Sequence, residues 1–149
     1  MQDTIFALSS GVPPAGIAVI RISGPGAGTA LKAFVGDLPE PRLATVRTLR
    51  DRDGQSLDEA LVLWFPAPRT VTGENVAELH CHGGRAVVAA IMSELGKLPG
   101  LREAEAGEFT RRAFANGRID LAEAEGLGDL LAAETEWQRR GAMSAAGGG

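Results

Sequence analysis

Arg21 and Glu78 carry charge where the surrounding sequence is apolar. Arg21 interrupts the run Ile17-Ala18-Val19-Ile20-Arg21-Ile22-Ser23, and Glu78 lies inside Val76-Ala77-Glu78-Leu79-His80-Cys81-His82. Charged side chains are rarely buried without a partner. One reading is a structural ion pair, or a strand end at the surface. The other is that each charge faces a ligand. A carboxylate can accept two parallel hydrogen bonds from an amino-pyrimidinone edge, and a guanidinium can hold a carboxylate in the same two-pronged way. Arg111, Arg112 and Arg118 gather around Asn116-Gly117, where a solvated basic face is the plain expectation.

His80, Cys81 and His82 invite a metal reading, but a structural zinc site wants four ligands at fixed spacings. The chain has two His and one Cys in all. Glu78, His80 and His82 share one strand face, yet alternate residues lie about 6.6 Å apart along a strand and splay their side chains. A polar strand face beside a site or interface is the better expectation. Cys81 falls on the opposite face with Ala77 and Leu79, where a cysteine behaves as a small buried hydrophobe. A phosphate-binding loop needs Gly-Lys-Ser/Thr after a glycine loop. The one Gly-Lys pair, Gly96-Lys97, is followed by Leu98. Asp51-Arg52-Asp53-Gly54 has the form of a GTPase Asp-x-x-Gly, but without that loop it reads as a hairpin turn. No Ser/His/Asp triad can be argued from one sequence.

The elements that would position these residues follow from patterning. Residues 4–8 read as a short strand. Gly and Pro then mark a loop over 9–16. Residues 17–23 are rich in β-branched side chains, which predicts a central strand buried on both faces. A helix is expected over about 27–35. Residues 43–50 alternate, and with 57–65 across the 51–54 turn they predict a hairpin. Residues 76–82 are a further strand, with Val76, Glu78, His80 and His82 on one face. An apolar stripe through Val87, Ile91 and Leu95 predicts a helix from Gly84 to about Leu95. A short strand at 101–106 and a helix over 108–115 come next, with Asn116-Gly117 as its C-cap. Asp120 can cap a last helix running to about Met143. Gly126, Gly128 and Gly141 lie inside that helix, each costing about 1 kcal/mol relative to Ala. The fold class is therefore α+β, with a mixed sheet and a C-terminal helix that departs from it.

Length and composition set the outer limits. The chain has 149 residues, 44% hydrophobic and 23% charged, as expected for one globular domain. No stretch approaches 18 consecutive apolar residues, so no membrane span is expected. The first residues lack a basic and an apolar region, so no secretory signal is read there. A single cysteine makes no internal disulfide, which points to a reducing compartment. The formal net charge is −4, and all of it falls on residues 119–149. The neutral remainder offers no broad footprint for nucleic acid. With no tyrosine and few aromatics, a stacking platform for single strands is poorly supplied.

An ordered set of motifs runs through the chain. It begins with Asp3-Thr4-Ile5 and continues with Gly16-Ile17-Ala18-Val19-Ile20-Arg21-Ile22-Ser23-Gly24. Leu63-Trp64-Phe65-Pro66-Ala67-Pro68, Thr72-Gly73-Glu74-Asn75-Val76 and Glu78-Leu79-His80-Cys81-His82-Gly83-Gly84 follow. Gly107-Glu108-Phe109-Thr110-Arg111-Arg112-Ala113-Phe114 and the run Asn116 to Glu125 complete it. In order and spacing the chain resembles the N-terminal part of the tRNA-modification GTPases (MnmE, also called TrmE). The resemblance implies a folate-binding and dimerisation domain over 1–118, related in fold to the folate domain of glycine-cleavage aminomethyltransferases. Residues 119–149 would be the first helix of a truncated helical domain. The implied ligand is 5-formyltetrahydrofolate or a related tetrahydrofolate. The family's folate contacts fall on Arg21, Glu78 and Arg118, with no metal site and no catalytic residue among them. Glu78 is then the acceptor for the pterin edge, and Arg21 and Arg118 serve the carbonyls or the glutamate tail.

The resemblance further implies a cytoplasmic homodimer. In the full-length family it works with an FAD-dependent partner (MnmG) on C5 of the wobble uridine of tRNA. GTP, Mg and K bind to a GTPase domain absent from this chain, so no activity is expected of the chain alone. The alternatives are a stand-alone folate-dependent one-carbon transferase and a pure dimerisation module. Three departures stand out: Arg118 where many members have Lys, Cys81 where Gly is usual, and Asn75 for a common Asp.

Overall fold

The computed structural model describes residues 3–10 and 15–126. Strands β1 (Thr4–Leu8), β2 (Ala15–Ser23), β3 (Thr45–Arg50), β4 (Ser56–Phe65), β5 (Val76–Gly83) and β6 (Leu101–Glu103) form one sheet in the order β3-β4-β5-β2-β1-β6. Helices α1 (Ala27–Val35), α2 (Arg85–Gly96) and α3 (Glu108–Ala115) pack with it, and residues 121–126 are helical as well. Every neighbouring pair is antiparallel except β1 with β6, so the sheet is mixed and the class is α+β. Among the described residues no helix is long and apolar enough to cross a membrane.

Period-two alternation builds the core. Val62, Leu79 and Ile20 lie in one cross-strand row of β4, β5 and β2, and all three are fully buried. Trp64, Ala77 and Ile22 form a second buried row. Leu31 and Phe34 of α1 and Val88, Ile91 and Leu95 of α2 close over this face. Truncating one such fully buried branched side chain to Ala typically costs about 2–5 kcal/mol.

The expectation that β2 is buried on both faces does not hold. Ala18, Ile20 and Ile22 are buried, whereas Ile17 is 62% exposed and Val19 and Arg21 are half-buried. The strand is central and antiparallel to both its neighbours, but α1 and α2 pack on one side of the sheet, which can leave its other side to solvent. The loop expected over 9–16 also ends early, since β2 starts at Ala15 with a register shift before Ile17.

The 51–54 turn closes the β3–β4 hairpin as expected. The Asp51 carboxylate accepts hydrogen bonds from the backbone N–H of Asp53 and Gln55, each at 2.9 Å, and Gly54 supplies the positive φ. Asp120 does cap a helix. Its carboxylate accepts the Glu123 N–H at 2.7 Å, and residues 121–126 are helical. The expected continuation to Met143 lies outside the described residues.

Candidate functional site

The open side of the sheet carries the charges. β2 and β5 run antiparallel with Arg21 opposite Glu78. The Arg21 guanidinium donates to Glu78 Oε2 from Nε at 3.0 Å and from Nη2 at 2.8 Å. The His80 Nε2 lies 2.9 Å from Glu78 Oε1, two residues further along the same face. Burial raises the proton affinity of the Glu78 carboxyl, but the contacts from His80 and Arg21 outweigh it and hold it below its ordinary value. The ion-pair reading of the two residues is therefore correct.

It is not the whole arrangement. Arg21 and Glu78 also form part of the lining of a cleft of about 270 Å³. Arg118 reaches the same cleft, so the three residues singled out in the sequence meet there. Arg42, Phe65, Arg69, Thr70, Val71 and Val76 complete its wall.

Local structure fixes each rim residue. Arg118 follows the C-terminus of α3, where the N–H of Arg118 reaches the Ala113 carbonyl (2.8 Å) and that of Gly117 the Phe114 carbonyl (3.0 Å). Gly117 sits at φ 73°, so this is the paired C-terminal closure that glycine favours. Arg118 Nε donates to the Thr70 carbonyl at 2.7 Å. Arg42 donates from Nη2 to the Arg69 carbonyl and lies 5.8 Å from the Phe65 ring centroid. It adopts φ 68°, a left-handed conformation uncommon for a non-glycine residue. Arg42 and Arg69 escaped sequence reasoning. Both sit in proline-punctuated loops with no periodicity to set them apart.

The residues also match a known family. A family model described as "GTP-binding protein TrmE N-terminus" matches residues 4–118. The chain belongs to this TrmE N-terminal family. Curated relatives named "tRNA modification GTPase MnmE" agree. The protein from Novosphingobium aromaticivorans is 70% identical over 149 residues, covering 99% of this chain and 34% of its own. Those from Erythrobacter litoralis and Rhizobium meliloti are 66% and 61% identical over 147 residues, each covering 99% of this chain and 35% and 34% of theirs. The chain thus spans about a third of the length of these MnmE relatives. The TrmE match takes in Arg21, Glu78 and Arg118, all three.

Behind the cleft, this TrmE N-terminal chain has a polar network that the sequence did not reveal. The expected solvated basic face fails at Arg112, which is 5% exposed. Its Nη1 donates to the Asp3 carbonyl at 2.7 Å and to both Glu74 oxygens at 3.1 Å. Its Nη2 donates to Asp3 Oδ1 at 2.7 Å and Glu108 Oε2 at 3.3 Å. Ser23 joins through Glu74 Oε1 (2.9 Å) and the Thr72 hydroxyl (2.7 Å). Asn116 Nδ2 holds the Thr72 carbonyl at 2.9 Å. These bonds clamp the 70–75 loop to α3 and so set Thr70 and Arg118 relative to each other. Arg102 also pairs with Glu108, whose pKa falls to about 2 through that hydrogen bond, helped by the Glu105 N–H and the charge of Arg112. Arg111 is exposed, with Glu105 at 3.2 Å.

Each histidine lies beside a carboxylate. His80 meets Glu78, and His82 Nδ1 lies 2.7 Å from Asp58 Oδ1. Among the described residues no group of three potential ligands comes together. Cys81 is 2% exposed, as expected, and its thiol meets the Ala18 carbonyl at 3.4 Å.

Proposed function

We propose that this chain is the folate-binding and self-association unit of a tRNA-modifying GTPase, with a reduced folate such as 5-formyltetrahydrofolate in the Arg21–Glu78–Arg118 cleft. The observation that carries the reading is the convergence of these three residues on one cleft. A volume of about 270 Å³ lies just below the usual range of ligand pockets, about 300–1,000 Å³. It suits a bicyclic head with its side arm left outside. Glu78 offers acceptor oxygens to the amino-pyrimidinone edge, and the Arg21 contact keeps the carboxylate ionised for that task. Guanidinium groups at the rim suit the carboxylates of a glutamate tail.

The remaining elements of the reading are proposals that rest on the resemblance alone. They are a cytoplasmic homodimer, an FAD-dependent MnmG-type partner, and tRNA modified at C5 of its wobble uridine. GTP hydrolysis would belong to parts of such a protein outside this chain. In this scheme the folate carries the one-carbon chemistry, and the chain supplies binding and orientation.

Calorimetric titration of 5-formyltetrahydrofolate into the chain tests the proposal. The expected result is saturable binding that weakens at least tenfold in Glu78→Ala. Unchanged affinity in the variant removes the pterin role of Glu78. No binding by the parent chain overturns the folate reading.

A further inference from the structure

The charges around the cleft do not balance for a folate with one glutamate. On its floor, half-buried Arg21 is neutralised by half-buried Glu78. The rim carries three exposed guanidinium groups, Arg42, Arg69 and Arg118. Among the described residues none of the three is paired with a carboxylate. Arg42 and Arg118 are held by neutral groups, the carbonyls of Arg69 and Thr70, with the Phe65 ring beside Arg42. Such contacts aim a guanidinium without spending its charge. A single glutamate tail brings two carboxylates, one short of the rim cations, and each further γ-linked glutamate brings one more. The left-handed backbone at Arg42 adds to this. Glycine would adopt that conformation at no steric cost, so an arginine there accepts strain to keep its guanidinium on the rim.

We infer that the cleft is built for a folate bearing an oligo-γ-glutamate tail, with Arg42 and Arg69 as the residues that select it over the monoglutamate. This rests on the folate reading above and narrows its ligand class. The head occupies the Arg21–Glu78 floor, one tail carboxylate meets Arg118, and the growing tail leaves past Arg42 and Arg69 into solvent.

The test compares 5-formyltetrahydrofolate as the monoglutamate and as the tri-γ-glutamate, titrated into the same chain. The readout is the ratio of their affinities. The triglutamate is expected to bind at least tenfold tighter, with the ratio shrinking as salt screens the exposed charges. In the Arg42→Gly/Arg69→Ala variant the ratio is expected to approach one. Arg42→Gly relieves the backbone, so a thermal melt should show the fold intact. A ratio near one in the parent chain overturns the inference while the folate reading stands. A high ratio that survives in the variant overturns the assignment to Arg42 and Arg69. Failure of both ligands to bind overturns the folate reading itself, and the inference with it.

Discussion

Arg21 and Glu78, 57 residues apart in sequence, are direct cross-strand neighbours on β2 and β5 and meet at 2.8 Å. The pair has two duties that can be separated. It removes a charge imbalance from a half-buried sheet face, and it presents a fixed carboxylate to the cleft. Arg21→Ala leaves Glu78 without its guanidinium partner, and a loss of about 1–3 kcal/mol is expected. Glu78→Gln keeps an acceptor oxygen for Arg21 and should lose less stability than Arg21→Ala. It also turns one acceptor of the ligand edge into a donor, so folate affinity should fall at least tenfold. Urea midpoints and calorimetry on the two variants check this. Equal folate affinity in Glu78→Gln and the parent chain would falsify the ligand duty.

Arg112 is expected to matter most for stability. It is buried and serves Asp3, Glu74 and Glu108 together. Removing one partner of a buried ionic network costs about 3–5 kcal/mol, because the charges left behind stay uncompensated. Arg112→Met should therefore unfold at much lower urea. Arg111→Met, at an exposed ion pair, should change the midpoint little.

The same network sets the acid limit. Glu108 titrates at about 2 in the fold against an ordinary 4.5. A carboxylate with a depressed folded-state pKa stabilises the fold fully above its unfolded value, and that share is lost as pH falls through the folded one. Stability should thus decline between about pH 4.5 and pH 2. Asp3, held down first by its hydrogen bond from Arg102, acts in the same direction. Urea midpoints of the parent chain and Glu108→Gln should differ clearly near neutral pH and converge towards pH 2. Parallel curves across that range would remove Glu108 as the cause.

Gly73 tests how the 70–75 loop sets the cleft. It adopts φ 83°, and a Cβ there would lie 2.6 Å from the Asn116 Cβ and 3.3 Å from the Arg118 Cγ. Gly73→Ala must push the loop away from the end of α3 and disturb the contacts Asn116–Thr72 and Arg118–Thr70. The expected outcome is a loss of at least about 1 kcal/mol together with weaker folate binding. A variant as stable as the parent chain would show that the loop and α3 move independently.

Cys81 should be chemically quiet. Burial pushes its thiol up to about 11, with a further contribution from the charge of Asp58. The thiolate is the reactive form, and a rise of about two units leaves about a hundredfold less of it near pH 8. Alkylation by iodoacetamide should be slow in the native chain and fast in urea. Equal rates would mean that the core face of β5 opens readily.

The elements were legible where one local pattern decided them. The start of α1 and the end of α3 follow from the glycines beside them, and the faces of β5 follow from period-two spacing. The one-sided burial of β2 was not legible, because Ile17 and Val19 are as apolar as Ile20 and only the placement of α1 and α2 separates them. At the site, Arg21 and Glu78 stood out as charges in apolar runs. Arg118 came only through the family resemblance, and Arg42 and Arg69 came through neither. The burial of Arg112 was illegible for a related reason. Its partners Asp3 and Glu74 lie 109 and 38 residues away in sequence, and no local window contains both ends of such a contact.

The pairing of β1 with β6 bears on how the chain assembles during synthesis. Thr4 lies beside Leu101, and Asp3 is held by Arg112, so these residues wait for partners about a hundred positions further along the chain. Contacts of such long separation form slowly, because the intervening loop must close before they stabilise anything. Until α3 has left the ribosome, Asp3 and Glu74 lack the guanidinium that joins them, and the loop bearing Thr70 is held by Ser23 without its bonds from Asn116 and Arg118. Ligand capture by a nascent chain would therefore follow the docking of α3 rather than seed it.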